Sequence, residues 1–447
     1  MNAAHSTKTA AQGKNRTLVN FLSLSLLQIG NYVLPIVTLP IISRIIGPEN
    51  YGLINYIFAY VYYFVLFINA GFDVYGIRAI IGKQDDPEAV NAIVSRIMVA
   101  KFYIMAACAI VFAIIIAFVS QLTQEKLVCL FAFLYCLGWV INPSWVYHAM
   151  QETKKFAIFS FFAKLAFSVA IVVVVRERSD YIYHPLITSL AHVGVSFFSL
   201  RYALRRYGIR LNWSGLKQVK ETLLDIRHIS VMELIRNQAH LTNIILTGTL
   251  LSIHDTGLYT AGLRTVIIAQ TIVSMPLNTV LFPYIGRAFL GSEEEGMDRV
   301  RRILPYVFAL TILMSLCTLI FAEPAIAFIF GKEFSSAVNL LRVFSFGLLF
   351  SNLNYALGQQ VMLNLKKEAP YVRFLVVGLI FNIVLLFVLA KPFGVLGAAL
   401  CWPLAELLVF GLLLGYFRSR SISLFNPEYC RPRVFYLNAL KLMPFHK

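Results

Sequence analysis

Six basic residues stand where a membrane protein can least afford charge. Lys101, Lys164, Arg236, Arg264 and Arg342 fall inside long apolar runs, and Arg44 follows closely on the first such run. A charge at the bilayer centre costs about 2.5–3.5 kcal/mol on insertion scales, so it faces a protein interior or a wet cavity. Cations that line a cavity attract an anion, and Lys and Arg both bind phosphate well. These six are therefore the candidate substrate-binding residues. Three carboxylates share the apolar setting. Glu233 lies three residues before Arg236 and on the same helix face, Glu406 lies in Cys401-Trp402-Pro403-Leu404-Ala405-Glu406, and Asp73 follows the second run. The simpler role for any of these charges is an interhelical ion pair. Lys101 and Arg342, nearer their helix ends, also have the option of snorkelling to the headgroups.

Enzyme chemistry has no foothold beside them. The chain lacks GxxxxGK[ST], GxSxG and HExxH, so neither nucleotide binding, serine hydrolysis nor zinc proteolysis is encoded in a recognisable form. His148, His184, His192, His240 and His254 lie scattered without ligand spacing, and read as hydrogen-bonded structural groups. Of six cysteines, Cys108, Cys129, Cys136, Cys317 and Cys401 lie in apolar runs and Cys430 in the tail, with no CxxC. Free cysteine behaves as a small hydrophobe, so no metal site, disulfide or bound cofactor is expected.

The elements that hold these residues are membrane helices. The 447-residue chain is 59% hydrophobic and only 14% charged, with a mean hydropathy of +0.72. A hydrocarbon core about 30 Å thick needs roughly 20 apolar residues per helix. Twelve such runs are legible: 18–42, 52–70, 93–119, 127–149, 156–175, 182–204, 229–251, 257–285, 303–330, 338–363, 371–390 and 394–417. Strands of a membrane barrel would alternate apolar and polar residues, which stretches such as 110–119 and 375–390 do not. The first run is too long for a signal-peptide core and no small-residue cleavage site follows it, so it reads as an uncleaved first helix.

With both termini cytoplasmic, the basic residues sort by side. Of 39 Lys and Arg residues, only Arg44, Lys126, Arg176, Arg178, Lys332 and Lys391 would lie in external loops. That is a strong positive-inside pattern. It accounts for most of the net charge of +17 without any nucleic-acid partner. External loops are all short, leaving no room for an extracytoplasmic domain. The expected organisation is a cytoplasmic N-tail 1–17, a six-helix bundle 18–204, a basic cytoplasmic linker 205–228, a second six-helix bundle 229–418 and a basic interfacial tail 419–447. Linker and tail both read as topology anchors on the inner leaflet.

The second half echoes the first. Gly52-Leu53 and Gly257-Leu258 are 205 positions apart, each following a span; Lys154-Lys155 and Lys366-Lys367 are 212 apart. Two matches at nearly one offset imply duplication of a six-helix unit. Parallel repeats of this kind are related by an axis along the membrane normal, with substrate bound between them. The predicted fold is thus all-α, twelve helices in two bundles with a pseudo-two-fold. Prolines 35 and 40 interrupt the first span, and Pro276 and Pro283 the eighth. Proline deletes a helix hydrogen bond and bends the axis, so these four are candidate gating positions.

Against this background, Gln28-Ile29-Gly30-Asn31-Tyr32-Val33-Leu34-Pro35-Ile36, then Pro40, Arg44 and Gly47-Pro48-Glu49-Asn50-Tyr51-Gly52, resembles the N-terminal signature of bacterial polysaccharide repeat-unit flippases. These are the O-antigen and capsule exporters of the multidrug/oligosaccharidyl-lipid/polysaccharide superfamily. The later Gly257-Leu258-Tyr259 and Lys366-Lys367 agree. The resemblance implies an inner-membrane transporter serving lipopolysaccharide synthesis. Its substrate would be an undecaprenyl-pyrophosphate-linked oligosaccharide, carried from the cytoplasmic to the periplasmic leaflet by alternating access. Membrane lipid and, in the same pathway, a polysaccharide polymerase and a chain-length regulator are the implied partners. The alternative within the superfamily is a drug/cation antiporter, which would want a predominantly acidic cavity. The resemblance also implies driving by a cation gradient, of protons or sodium, or by the membrane potential. One departure stands out: where relatives often carry an acid early in the seventh helix, this chain has Asn243, so Glu233, Glu406 and Asp73 remain the candidates for proton or sodium coupling.

Overall fold

The structure is a computed structural model. It describes the backbone at 2–69, 71–213, 215–236, 239–276, 282–424, 426 and 429, and the side chains there except at 2–33, 35–36, 216, 228–229, 231–239 and 272–283. Regular structure among the described residues is helical throughout. Seven helices are long and apolar enough to cross a membrane: Val37–Ile80, Pro87–Phe118, Lys126–Ala149, Thr153–Val174, Glu293–Ile320, Ala337–Met362 and Glu368–Ser419. The chain is a multi-pass membrane protein.

α1 (Asn2–Asn69) runs through Pro40, and its non-helical residue is Gly47, at φ 75 and ψ 174. The break expected at Pro35 and Pro40 is thus at Gly47, which lacks the Cβ that disfavours this conformation. The side chain of Pro35 lies outside the described residues, as do those of Pro276 and Pro283. α2 (Phe72–Ile80) leads to α3 (Pro87–Phe118), which starts on a strong signal: the Asp86 carboxylate accepts from the Glu88 and Ala89 amides at 3.1 Å, with proline in the first turn. After the short α4 (Ser120–Thr123) come α5 (Lys126–Val140), α6 (Ser144–Ala149), α7 (Thr153–Val174) and α8 (Tyr183–Arg206). α5 and α7 both pack on α8. The chain leaving α8 is tied to α3, because Asn91 Oδ1 and Ser95 Oγ accept from the amides of Arg210 and Asn212.

The basic linker forms α9 (Leu216–Arg236), and α10 (Ala239–Leu250) follows it. The expected seventh span, 229–251, is therefore shared between two helices. The expected eighth, 257–285, is likewise divided between α11 (Ile253–Pro276) and α12 (Phe282–Gly291). α13 (Glu293–Ile320) opens with Ser292 Oγ accepting from the Glu295 amide and three glutamates in its first turn, where the helix dipole favours negative charge. α14 (Ala322–Ile329) and α15 (Ala337–Tyr355) come next, α15 continuing as a π-helical turn Ala356–Met362. α16 (Glu368–Ser419) is two helices joined at Gly394, at φ 59 and ψ −145. Its two segments fold back on each other, with Gly378 against Ala405 and Val409 and Gly397 against Leu389.

Two compact units divide the chain. One comprises Met1–Gly47 and Ile57–Leu234; the other comprises Pro48–Tyr56 and Ile235–Lys447. The core of the first collects Phe72, Val94, Ile97, Trp145 and Ile226. That of the second collects Ile303, Leu304, Leu357, Met362 and Leu413.

Candidate functional site

In the first unit, the sequence-derived candidates Lys101 and Asp73 meet. Lys101 Nζ donates to Asp73 Oδ1 at 3.1 Å and to Asn69 Oδ1 at 2.8 Å, while Asn69 Nδ2 donates to Asp73 Oδ2 at 3.1 Å. The ammonium lies 5.9 Å above the Phe72 ring centre. Lys101 is only 1% exposed and Asp73 30%. Lys101 therefore does not snorkel, and its charge is already matched by a carboxylate. A buried ammonium satisfied in this way joins α3 to the α1–α2 turn; each partner left alone would be costly. Asn69, the third member, is invisible to a search for charges.

Lys164 lies at the middle of α7, half-buried. Arg44 is exposed near the end of the first α1 segment. Between α5 and α8 lies an aromatic group: His192 stacks on Tyr135 at 4.4 Å and lies 5.2 Å from Trp139, over Gly138, whose missing Cβ leaves the ring its seat. His192 Nε2, His184 Nδ1 and Trp139 Nε1 are buried without a hydrogen-bond partner among the described residues. Thr153 Oγ1 meets His148 Nδ1 at 3.5 Å, in keeping with the expectation of hydrogen-bonded histidines, whereas His192 departs from it at Nε2. Ring contacts, not hydrogen bonds, hold His192 in place.

The second unit holds a polar network around Glu406. Asn354 Nδ2 donates to Glu406 Oε2 at 2.7 Å and to the Glu406 carbonyl at 2.8 Å, and Trp402 Nε1 donates to Oε1 at 3.0 Å. Ser351 also hydrogen-bonds the carboxylate and accepts from Gln270 Nε2 at 3.0 Å. Trp402 fits because Gly347 opposes its ring, and His240 meets it edge-on at 5.1 Å. Three helices, α11, α15 and α16, thus converge on one carboxyl. Sequence reasoning found Glu406 by its charge but missed Asn354, Ser351 and Gln270, whose only signal was a polar side chain in an apolar run.

Asn243 is fully buried and forms a neutral network. Asn382 Nδ2 donates to Asn243 Oδ1 at 2.6 Å, and Asn243 Nδ2 donates to Tyr259 Oη at 3.1 Å. Arg264 is exposed on α11 and hydrogen-bonds the Tyr51 hydroxyl. Arg342 is exposed on α15, donating to Asn339 Oδ1 at 3.2 Å. The side chains of Glu233 and Arg236 lie outside the described residues.

Within the same unit, the two repeated glycines touch. A Cβ on Gly52 would lie 2.0 Å from the Ile253 carbonyl oxygen and 2.6 Å from the Gly257 nitrogen; one on Gly257 would lie 1.9 Å from the Pro48 carbonyl oxygen. Pro48 and Ile253 are themselves one repeat offset apart, so the contact is reciprocal. Tyr51 packs beside it on Phe330 and Phe334, and Tyr56 Oη hydrogen-bonds Thr249 Oγ1 at 3.0 Å. Among the described residues no three His, Cys, Asp or Glu are grouped to hold a metal ion.

Known proteins place this arrangement. A candidate O-antigen transporter of Escherichia coli (strain K12) is 23% identical over 404 residues, spanning 90% of this chain and 97% of its own. A candidate O-antigen transporter of Shigella dysenteriae is 22% identical, over 88% and 98%. Among solved structures, the lipid II flippase MurJ, in an inward closed conformation, superposes with a TM-score of 0.71 at 13% identity, covering 94% of this chain and 91% of its own. An inward-facing multidrug resistance transporter of the MATE family gives 0.65 at 12%, over 88% and 95%. These two likenesses establish the fold. The polysaccharide biosynthesis protein family matches residues 17–289, more than half of the chain. The chain therefore belongs to that family of polysaccharide biosynthesis proteins, and the curated relatives it matches are transporters.

Proposed function

We propose that this protein moves an undecaprenyl-pyrophosphate-linked oligosaccharide from the cytoplasmic to the periplasmic leaflet of the inner membrane, for O-antigen or a related surface polysaccharide. The observation that carries the reading is the fate of the intramembrane cations. Lys101 is neutralised by Asp73, whereas Arg264, on an apolar helix, is exposed and is in no ion pair among the described residues. Lys164 lies half-buried at mid-helix. A pyrophosphate needs such cations, since it has no means of crossing hydrocarbon alone. Arg44, Arg236 and Arg342 complete the proposed anion path, while Lys101 serves structure.

The reading includes twelve spans in two six-helix bundles, 18–204 and 229–418, related by a pseudo-two-fold along the membrane normal, with both termini cytoplasmic. Supporting it are helix ends in the left-handed conformation at Gln151 and Lys366, and again at Gly208 and Ser421, at nearly one separation. The bundles alternate access around the substrate, with Pro276 and Pro283 as gating positions in the eighth span. Cation coupling falls to Glu406 or Glu233, because Asp73 is engaged by Lys101. A polymerase and a chain-length regulator would take the delivered unit.

Deleting the gene in its native bacterium tests this. Lipid-linked repeat units should accumulate on the cytoplasmic side while surface polysaccharide disappears. Normal surface polysaccharide with new sensitivity to cationic drugs would overturn it in favour of the antiporter.

A further inference from the structure

Building on the transport reading, we infer that Glu406 is the proton-binding group of this protein, and that Asn354 is the positioning residue that registers the proton. Glu406 lies in the second segment of α16, half-buried, and no lysine or arginine forms an ion pair with it among the described residues. Its ionised form is held by N–H and O–H donors alone: Asn354 Nδ2, Trp402 Nε1 and the Ser351 hydroxyl. Such donors stabilise a carboxylate by hydrogen bonding, yet leave it without a counter-charge.

The cluster also anticipates the protonated state. Asn354 is 3% exposed, and its Oδ1 has no hydrogen-bond partner among the described residues. The donor end of the amide is fixed by two acceptors, Glu406 Oε2 and the Glu406 carbonyl. An orphaned buried acceptor is costly. Protonation offers it a use. A proton from the aqueous phase forms one O–H bond on Oε2, breaking no covalent bond. Turning the Asn354 amide over then lets that O–H donate to Oδ1. The turn gives up the Asn354 hydrogen bond to the Glu406 carbonyl, one of the ties between α15 and α16. Proton binding is thereby converted into looser helix packing.

A sodium ion suits the cluster poorly. Hard cations take a shell of oxygen ligands, whereas indole and amide N–H groups cover both carboxylate oxygens here. The other titratable groups on the packed elements are His240 on α10, His254, Asp255, Tyr259 and Arg264 on α11, and Arg342 and Tyr355 on α15, with none in 356–362. His240 touches Trp402 rather than the carboxylate, and Arg264 is directed to Tyr51.

The test uses purified full-length protein and needs no substrate. Trp402, one of four tryptophans, donates to the carboxylate, so its fluorescence reports ionisation. Titrating pH should give a fluorescence step whose midpoint is the same with sodium or choline as bulk cation. The step should vanish in Glu406→Gln and move to higher pH in Asn354→Leu, which removes a donor to the ionised form. In Trp402→Phe the optical step should vanish while proton uptake, read with an indicator dye, persists. A step retained in Glu406→Gln, a midpoint that follows sodium, or uptake lost in a folded Trp402→Phe would overturn the inference. Failure of the deletion experiment would instead overturn the flippase reading and leave this titration intact.

Discussion

Adding a methyl group at Gly257 is the sharpest perturbation the structure offers. The new Cβ would sit 1.9 Å from the Pro48 carbonyl oxygen and 2.8 Å from its carbon. Ordinary C···O contacts lie near 3.3–3.6 Å, so the two chain segments must part by more than about 1 Å. The obstacle is backbone, which has no rotamer to turn aside. Overpacking of this kind costs about 1–3 kcal/mol, and a backbone clash belongs at the upper end. Helix propensity returns about 1 kcal/mol when alanine replaces glycine in a helix. The net loss is about 2 kcal/mol. Gly52→Ala should cost a similar amount, because its Cβ meets the Ile253 carbonyl at 2.0 Å. The double variant should cost less than the sum, since one separation of the segments relieves both clashes. Thermal unfolding of the purified full-length protein measures this, with Gly411→Ala and Gly415→Ala as controls. A Cβ at either control position meets open space, so those variants should match or exceed the parent. If Gly257→Ala melts with the controls, the close-approach argument is wrong.

Lys101 and Asp73 should respond unequally. Asp73→Asn strands an ammonium that is 1% exposed and should cost about 3–5 kcal/mol; Lys101→Met leaves a carboxylate that water can reach, and should cost less, as thermal unfolding of the two variants would show. Lys164→Ala and Arg264→Ala should each reduce polysaccharide export at native membrane abundance, with Arg264→Lys restoring part of it; normal export in both alanine variants would sink the anion path. At the α6–α7 junction, burial raises the Glu152 carboxyl, but hydrogen bonds from Lys155 and Tyr207 and the charge of Arg206 outweigh it and hold it below its usual value of 4.5. A depressed folded-state value means stability that is present above the unfolded value and lost as pH falls through the folded one. The melting temperature should therefore drop on acidification below about pH 4.5, and less so in Glu152→Gln.

Helices were legible where apolar runs are long and end on a strong signal. Asp86-Pro87 and Ser292 start α3 and α13, and Lys391-Pro392-Phe393-Gly394 marks the turn inside α16. Polar spans were harder. α8 carries His184, Ser189, His192, Ser196 and Ser199, and it falls outside the seven helices that are apolar enough to cross a membrane on composition. In the first span the backbone leaves helical φ/ψ at Gly47 rather than at Pro40, a glycine that apolar periodicity does not single out. The paired lysines misplaced the repeat by a few residues. Lys154-Lys155 lie inside α7, whereas Lys366-Lys367 precede α16. The left-handed residues Gln151 and Lys366, each just ahead of its helix, mark the correspondence better.

Charge alone is an incomplete guide to the candidate site. A search by charge finds Lys101, Asp73 and Glu406 separately, and gives all three the same standing. The neutral residues separate them. Asn69 completes a closed set with Lys101 and Asp73, in which every charge has its opposite. Asn243 and Asn382 satisfy each other. Around Glu406, among the described residues, the neutral partners leave a remainder: a carboxylate with donors but no cation, and an amide oxygen with nothing to accept. Closed networks fix one arrangement of helices. A network with an unused acceptor beside an unmatched charge has a second arrangement available to it, and transport requires at least two. The functional weight therefore falls on the membrane carboxyl whose neighbours are incompletely satisfied, not on the one with the tightest ion pair.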